Sequence, residues 1–325
     1  MVSPSEWRIS PARQPKPGDY SFDLDRALGS VVGIRAIVPD DAFTAETLGT
    51  ERAGSGVLID GGAVLTIGYL ITEAEEIWLA CGDGRVLPGH PLAYDQATGF
   101  GLVQPLGRLD LPPLALGKSG EARPGTPVVV AGSGGRRHAV AASIIAKQEF
   151  AGYWEYVLDE AIFTAPAHPL WGGAAVIGPG GDLLGIGSLQ LEHKTKTGES
   201  GRTNMAVPID VLKPILPDLL ASGRTANPPR PWLGLFASEM EGNVVVVGVV
   251  GGAPADLAGL RAGDIVSGVS GAAVESLSGF FHRVWGLGAA GVDVPLTVVR
   301  DGRPLEALVA SKDRSSFLKA PRMHS

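Results

Sequence analysis

The chain has 325 residues, 45% of them hydrophobic, and can bury roughly two or three cores, which predicts a multidomain globular protein. Its formal net charge is −7 and no basic run occurs, which argues against a nucleic-acid-binding protein because such a protein needs a basic face. No stretch of about 18 apolar residues occurs, so the sequence predicts no helix that spans a membrane.

Glycine and proline are abundant, with 46 and 25 residues, whereas only 6% of the residues are aromatic. Together with short Val, Ile and Leu runs between turn residues, this composition favours many short strands over helical bundles. Cys81 is the only cysteine, which excludes an intramolecular disulfide and a cysteine zinc cluster. No two histidines have His-x-x-x-His spacing, so the sequence predicts neither a metal site nor another cofactor.

Residues 1–24 are rich in proline and polar side chains and are predicted to form an N-terminal arm. The segment lacks the unbroken apolar region of a secretory signal peptide. As written, the sequence therefore predicts a cytoplasmic protein, or a periplasmic one if a leader has been removed.

Strands dominate residues 25–222, where β-rich runs are broken by glycine and Asp-Gly turns. They fall into two consecutive sets of similar length, which predicts two small barrels side by side. The stretch VLKPILPDLLASGR, residues 211–224, is predicted to be an amphipathic helix that ends at a glycine.

A separate module follows the barrels. Residues 223–229 form a Pro-rich linker. Residues 230–313 alternate strands with two short helical stretches, which predicts an α+β domain. Residues 314–325 are expected to be a frayed tail.

Several stretches share their sequence and their order with one known family. They are GSGVLIDGGAVLT, LGKSGEARPGTPVVVAG, NMAVPIDVLKPIL and GGAPADLAGLRAGDIVSGVSG, the last followed by VPLTVVRDGR. On these motifs the chain resembles the HtrA/Deg family, trypsin-fold serine proteases followed by PDZ domains, from residue 25 to 312. The resemblance implies an all-β-dominated chain, with a two-barrel trypsin-like (chymotrypsin) fold in residues 25–222 and one α+β PDZ domain in residues 230–313.

The resemblance also places substitutions where the family keeps its catalytic groups. TIGYLI puts Tyr69 at the position of the general-base histidine, and DQATGFGLV puts Gly99 at the position of the aspartate. PLWGG puts Trp171 at the position of the nucleophilic serine and Pro169 two residues before it. The family's oxyanion hole uses the backbone NH groups of these last two positions.

Each substitution removes one part of the acyl-transfer chemistry, which needs a hydroxyl nucleophile, an imidazole base and an orienting carboxylate. Tryptophan offers no such nucleophile, and tyrosine with an ordinary pKa of about 10 is protonated at neutral pH. Glycine has no side chain, and proline has no NH to donate. The pattern predicts that proteolysis by this route is abolished and that Tyr69 and Trp171 fill the old cleft.

A displaced catalytic group is the alternative. His168 lies three residues before Trp171, close enough in sequence to face the old cleft with Asp95 or Ser188 as a partner. A histidine on the rim or in a loop is the other interpretation of the same residue.

The last module keeps the features of a peptide-binding PDZ domain. PWLGLF matches the family's carboxylate-binding loop, so the NH groups of Leu233, Gly234 and Leu235 are candidates to receive a peptide's C-terminal carboxylate. Phe280 and Val284, spaced i and i+4 on a predicted helix, are candidates for the side-chain pocket. Core positions explain the same spacing equally well.

The sequence thus favours an HtrA-like pseudoprotease without a Ser/His/Asp triad, which binds proteins or peptide C-termini and regulates or co-assembles with an active protease. Family members form trimers, and Trp7, Tyr20 and Phe22 of the arm are candidates for contacts in a homo- or hetero-trimer. Two alternatives remain open. One is an active HtrA-like endopeptidase of protein quality control with a rearranged site, and the other is a structural scaffold that binds no peptide.

Overall fold

The computed structural model describes residues 8–194 and 200–320, apart from the side chains of residues 193, 194 and 200. The chain divides into two compact units. Unit 1 comprises the described residues up to Gln148, Glu160–Thr225 and the residues from Lys319 onward, and unit 2 comprises Glu149–Asp159 and Ala226–Leu318. Residues 149–159 therefore group with the C-terminal part of the chain, although they are the end of one strand of the second barrel, the turn after it and the start of the next strand.

The first half of unit 1 is a closed antiparallel barrel with the strand order β1-β2-β3-β6-β5-β4. Alternation of polar and apolar residues builds its strands, as in β4, where Ile77 and Leu79 are buried and Trp78 between them is exposed. The strands are β1 (Val31–Ile37), β2 (Glu51–Leu58), β3 (Val64–Ile67), β4 (Glu76–Ala80), β5 (Val86–Tyr94) and β6 (Phe100–Pro105).

The second half of unit 1 is another closed barrel, with the order β10-β11-β12-β9-β8-β7. Ile9, from the N-terminal arm, joins its hydrophobic core, and the Ile9 NH donates to the carbonyl of Arg137 over 2.8 Å. The described part of the arm therefore packs on this barrel. The strands are β7 (Pro127–Ala131), β8 (Ala139–Gly152), β9 (Tyr156–Ala165), β10 (Ala175–Ile177), β11 (Leu183–Lys194) and β12 (Ser200–Pro208).

The helices of unit 1 are short: α1 (Leu24–Leu28), α2 (Ala45–Leu48) and α3 (Leu216–Ser222). The single helix predicted over 211–224 is wrong at its start, because a separate 3-10 turn, Ile209–Val211, precedes α3. Pro217 lies in the first turn of α3, where its missing NH is tolerated, and Gly223 ends the helix in the left-handed conformation.

Unit 2 contains an antiparallel sheet with the order β13-β14-β15-β17-β18, and β16 pairs with β15. Strand β13 is therefore an edge strand. Helix α5 begins after Ser276, whose hydroxyl accepts the NH of Gly279 over 3.1 Å. The elements are β13 (Leu235–Met240), β14 (Asn243–Val249), α4 (Pro254–Leu257), β15 (Ile265–Val269), β16 (Ala272–Ala273), α5 (Leu277–Trp285), β17 (Asp293–Arg300) and β18 (Arg303–Ala310).

The predicted strand-dominated architecture, two barrels followed by a smaller α+β domain, is confirmed. The expectation of a frayed tail from residue 314 is wrong for its first residues, which form a 3-10 turn, Arg314–Phe317. The Asp313 carboxylate caps this turn by accepting the NH of Ser315 over 2.8 Å, and the Phe317 ring lies 4.8 Å from the Trp232 ring. Along residues 8–194 and 200–320, no helix combines the length and the apolar character needed to cross a membrane.

Candidate functional site

Two of the three predicted triad positions meet at one cleft in unit 1. Tyr69 lies in the 3-10 turn directly after β3, and Trp171 lies in the loop between β9 and β10. Both side chains line a cleft of about 510 Å³. Gly99, in the turn between β5 and β6, adjoins the Tyr69 turn only through its backbone, where its carbonyl accepts the NH of Gly68 over 2.7 Å. The two aromatic rings thus form part of the cleft wall and leave open volume beside them.

Tyr69 has a structural hydrogen-bonding role in the cleft. Its hydroxyl donates to the carbonyl oxygen of Ser188 over 2.9 Å and accepts a hydrogen bond from the Trp171 side chain. Burial raises the pKa of Tyr69 far above its ordinary value, and the hydrogen bond from Trp171 only partly opposes this shift. The phenol therefore keeps its proton at any physiological pH and cannot act as a general base there.

Replacing Tyr69 with phenylalanine is expected to lower the free energy of unfolding of unit 1 by about 1 kcal/mol, because the Ser188 carbonyl loses its donor. Hydrogen-exchange mass spectrometry on the barrel strands under increasing urea measures this change. Tyr20→Phe, in the arm of the same unit, is the control and should change stability by less than about 0.5 kcal/mol. Equal effects of the two substitutions would contradict the assigned role of the Tyr69 hydroxyl.

The loop around Trp171 is held by its backbone. The carbonyl of Gly172 accepts the NH of Ser55 over 2.9 Å, and the NH of Gly173 donates to the carbonyl of Gly187 over 2.9 Å. Gly173 has a φ of +73°, and a Cβ there would lie 1.8 Å from the carbonyl oxygen of Ser55, so only glycine fits. Pro169, exposed in the same loop, contributes no NH.

His168 is fully buried, and both of its ring nitrogens are engaged. Its Nδ1 accepts the NH of Leu170 over 3.1 Å, so Nε2 carries the proton and donates to the carbonyl of His138 over 2.9 Å. Burial lowers the pKa of His168, which keeps the ring neutral. Its backbone NH also donates to the side-chain oxygen of Asn204 over 2.6 Å. This geometry favours a structural histidine over a displaced catalytic base.

The two partners considered for His168 have other roles. The Asp95 carboxylate accepts the NH and the hydroxyl of Thr98, over 2.8 and 2.6 Å, and so caps its own turn. Ser188 is buried, and its carbonyl binds the Tyr69 hydroxyl. None of the contacts described for these residues joins Asp95 or Ser188 to His168.

Sequence reasoning did not find a buried arginine that lines the cleft. Arg52, only 5% exposed, donates to three carbonyl oxygens, those of Gly49, Tyr69 and Thr72, over 3.0, 2.8 and 3.0 Å. Its guanidinium also donates to the Thr44 hydroxyl over 2.8 Å. A charged residue on a barrel strand normally indicates a solvent-facing position, so the alternation pattern hides this one.

Glu73 completes this network. Its carboxylate accepts the backbone NH groups of Phe43, Thr44 and Lys319 over 3.0, 2.7 and 2.9 Å, and the Thr44 hydroxyl over 2.6 Å. Burial alone would raise the pKa of Glu73, but these hydrogen bonds outweigh burial and lower it. Burial lowers the pKa of Arg52, and the negative charge of Glu73 opposes this shift because it favours the protonated guanidinium. The network fixes the backbone of the Tyr69 turn.

The predicted carboxylate-binding loop of unit 2 already holds a carboxylate. The NH groups of Leu233, Gly234 and Leu235 all donate to the side chain of Glu155, over 2.7 to 3.2 Å. Gly234 has a φ of +75°, and a Cβ there would lie 2.3 Å from the Cβ of Ala253, so the loop needs glycine at its centre. Glu155 was not among the residues that the sequence singled out, since nothing in its local pattern links it to this loop.

The two candidate pocket residues on α5 are fully buried. Phe280 is 0% and Val284 1% exposed, and both belong to the hydrophobic core of unit 2. Val157, from the segment 149–159, belongs to the same cluster. A side chain of the segment 149–159 therefore packs into the same hydrophobic core as the two candidate residues of α5.

Comparison with known sequence families gives two matches. Residues 54–186 match the family described as a trypsin-like peptidase domain, and residues 231–310 match the PDZ domain. The first match contains the positions of Tyr69, Gly99 and Trp171, and the second contains the amide loop and α5.

Curated relatives resemble this chain over most of its length. A probable periplasmic serine endoprotease DegP-like of Hahella chejuensis is 29% identical over 273 residues, which cover 80% of this chain and 56% of the relative. The corresponding protein of Pseudomonas fluorescens is 28% identical, with 78% and 54% covered. The periplasmic pH-dependent serine endoprotease DegQ of Escherichia coli is 26% identical, with 84% and 62% covered. The chain spans about half the length of the first two relatives.

Solved structures share the fold. The HtrA-type protease AlgW with a decapeptide aligns with a TM-score of 0.55 at 19% identity, covering 92% of this chain and 98% of that chain. The serine endoprotease from Yersinia pestis aligns with a TM-score of 0.52 at 23% identity, covering 89% and 95%. At these identities the likeness concerns the fold alone.

Proposed function

The chain belongs to the HtrA family, and from that premise we propose that it is a member that binds polypeptides without cleaving them. The PDZ domain supports peptide binding. The loss of cleavage is supported by the chemistry of the cleft in unit 1.

One observation carries the proposal: the Tyr69 hydroxyl, at the base position, donates to the Ser188 carbonyl and accepts from Trp171, at the nucleophile position. The two side chains at the positions of the base and the nucleophile are hydrogen-bonded to each other. Neither can attack a carbonyl or take up a proton at neutral pH. Pro169 removes an oxyanion donor as well, and loss of one such donor raises the barrier by about 3 to 4 kcal/mol.

The alternative is an endopeptidase with a rearranged site, which the names of the relatives favour. Such a site needs a base with a free nitrogen near a hydroxyl. The contacts of His168 with Leu170 and His138 occupy both ring nitrogens, so they support the non-cleaving interpretation.

The purified chain is expected to leave unfolded casein intact and to take up no fluorophosphonate, because loss of a nucleophile or base alone slows this mechanism on the order of a million-fold. Fluorescein release from labelled casein and in-gel fluorescence of the probe measure the two outcomes. The DegQ protease of Escherichia coli serves as the active control. The variant Trp171→Ser should also stay unlabelled, because it still lacks the base and one oxyanion donor.

Casein hydrolysis that survives purification and disappears in His168→Ala or Ser188→Ala would overturn the proposal. Both substitutions need a check of folding by circular dichroism, since both residues are buried.

The partner of the PDZ domain is proposed to be a polypeptide C-terminus, and a homo- or hetero-trimer remains a prediction. Phe22 of the arm packs against Gly181 of its own unit, where a Cβ would lie 2.6 Å from the ring. The Tyr20 ring lies tilted beside the Phe22 ring, with 5.4 Å between the ring centroids. Trp7 lies outside the described residues.

The periplasm is the proposed compartment. The curated relatives in question are named as periplasmic proteins, which supports the periplasmic alternative. The cytoplasmic expectation receives no support from them.

A further inference from the structure

The carboxylate of Glu155 occupies the amide loop of unit 2 in the manner expected of a peptide C-terminus. One of its oxygens lies 2.7 Å from the Gly234 nitrogen and 3.2 Å from the nitrogens of Leu233 and Leu235. The other oxygen lies 3.0 Å from the Leu233 nitrogen. The Glu155 side chain is only 5% exposed, so a second carboxylate cannot enter the loop beside it.

The backbone near Glu155 also forms a hydrogen bond with the edge strand of the sheet. The NH of Ala237, two residues after Leu235 on the edge strand β13, donates to the carbonyl of Tyr153 over 2.9 Å. Alternate residues of an edge strand point their backbone groups to the same side, so an added peptide strand would bond with this same NH. The Tyr153 ring also lies 5.8 Å from the ring of Phe236 on the same strand.

An apolar side chain completes the likeness. Val157 is 5% exposed and lies in the hydrophobic cluster that contains Phe280 and Val284 of α5. A peptide bound between β13 and α5 would place its last side chain against the same helix. Residues 153–157 thus supply a carboxylate, a backbone carbonyl and an apolar side chain, which are the three groups that a peptide C-terminus offers.

We propose that residues 153–157 are an internal ligand of the PDZ groove, so that a polypeptide C-terminus binds only after this segment has left. The inference rests on the proposed function, since it concerns the same groove. Its external ligand is a polypeptide with a free α-carboxylate in place of Glu155 and an apolar last side chain in place of Val157.

The contact between Glu155 and the amide loop is suited to displacement, because some effects stabilise it and others destabilise it. Burial raises the pKa of Glu155 to about 7, although the three amide hydrogen bonds and the positive charge of Arg314 act in the other direction. Burial of the carboxylate thus weakens docking, whereas the amides strengthen it. Glu155 also has a φ of +60°, a backbone conformation that residues other than glycine adopt only with strain. A departing segment is released from both the desolvation and the strain.

The proposal predicts that removal of the internal carboxylate strengthens binding of an external one. A groove that is open in only a fraction of the molecules binds with an affinity reduced by that fraction. Glu155→Gln and Glu155→Ala should therefore bind peptide at least about 10-fold more tightly than the wild type. Glu149→Gln, an exposed glutamate in the same segment 149–159, is the matched control and should bind like the wild type.

The experiment uses the full chain and two readouts. Fluorescence anisotropy follows binding of a fluorescein-labelled pool of short peptides that end in valine with a free carboxylate, and an amidated pool tests the need for the carboxylate. Hydrogen exchange of the Leu233, Gly234 and Leu235 amides reports whether Glu155 protects them, and both Glu155 variants should exchange at least about 10-fold faster. In the wild type, excess peptide should also accelerate exchange across residues 149–159.

The outcomes separate this inference from the proposed function. Equal peptide affinity of the wild type and both variants, or unchanged exchange across 149–159 with peptide bound, would overturn the internal ligand and leave peptide binding in place. If the variants lose amide protection and no protein binds either pool, the proposed peptide binding is overturned, while the loss of protection still supports Glu155 as the ligand of the loop. The wild-type exchange measurement decides the question even if a variant fails to fold.

Discussion

Replacing Arg52 with methionine is expected to lower the free energy of unfolding of unit 1 by about 3 to 5 kcal/mol. The side chain is 5% exposed, and its loss leaves the carbonyls of Gly49, Tyr69 and Thr72 without their donor. The buried Glu73 carboxylate also loses the positive charge beside it. Methionine fills much of the same volume, so the expected loss reflects broken polar contacts more than a cavity.

Hydrogen-exchange mass spectrometry of the barrel strands under increasing urea measures this loss in unit 1 alone. Arg35→Met is the matched control, because Arg35 lies on the adjacent strand β1 and forms an exposed ion pair with Glu51. It should change stability by less than about 1 kcal/mol. A similarly small effect of the Arg52 substitution would show that the network does not hold the Tyr69 turn.

Replacing Phe280 with alanine is expected to lower the free energy of unfolding of unit 2 by about 3 to 5 kcal/mol. The ring is 0% exposed and packs 5.2 Å from the Phe281 ring, so its removal leaves a cavity in the core. The sequence left two roles open for Phe280, a pocket wall and a core residue, and this burial favours the core.

Exchange of the sheet amides in unit 2 under urea measures the effect. Arg283→Ala, on the exposed side of the same helix, is the control and should alter stability by less than about 0.5 kcal/mol. If Phe280→Ala instead kept its stability and lost only peptide affinity, Phe280 would be a pocket residue and the core assignment would be wrong.

Local patterns in the sequence predicted the elements well where one face of an element meets the core. The alternation of Ile77, Trp78 and Leu79 predicts a half-buried strand and produces one. The helix expected over 211–224 began too early. The apolar spacing continues through Pro214, but a proline has no NH for the hydrogen bond that a continuous helix needs at that position. Apolar spacing alone does not record where a proline interrupts the hydrogen bonds.

For the candidate cleft, the sequence predicted only which catalytic groups are missing. The residue types at positions 69, 99, 169 and 171 are legible from the sequence, and so is the chemistry that they lack. The contact between Tyr69 and the Ser188 carbonyl is not, since 119 residues separate the two along the chain. The burial of Arg52 escaped prediction for a related reason, because three of its partners are backbone carbonyls, which carry no sequence signal.

By itself, the sequence determined the strand-rich two-barrel and PDZ architecture and the residue types of Tyr69, Gly99 and Trp171, because residue identity and local periodicity can be read directly from the chain. The tertiary structure alone decided that both nitrogens of His168 are engaged and that the amides of residues 233–235 bind Glu155, 79 residues away from Gly234. The physical reason is that a hydrogen bond depends on the distance between two atoms in the folded chain, and folding sets that distance independently of their separation in sequence.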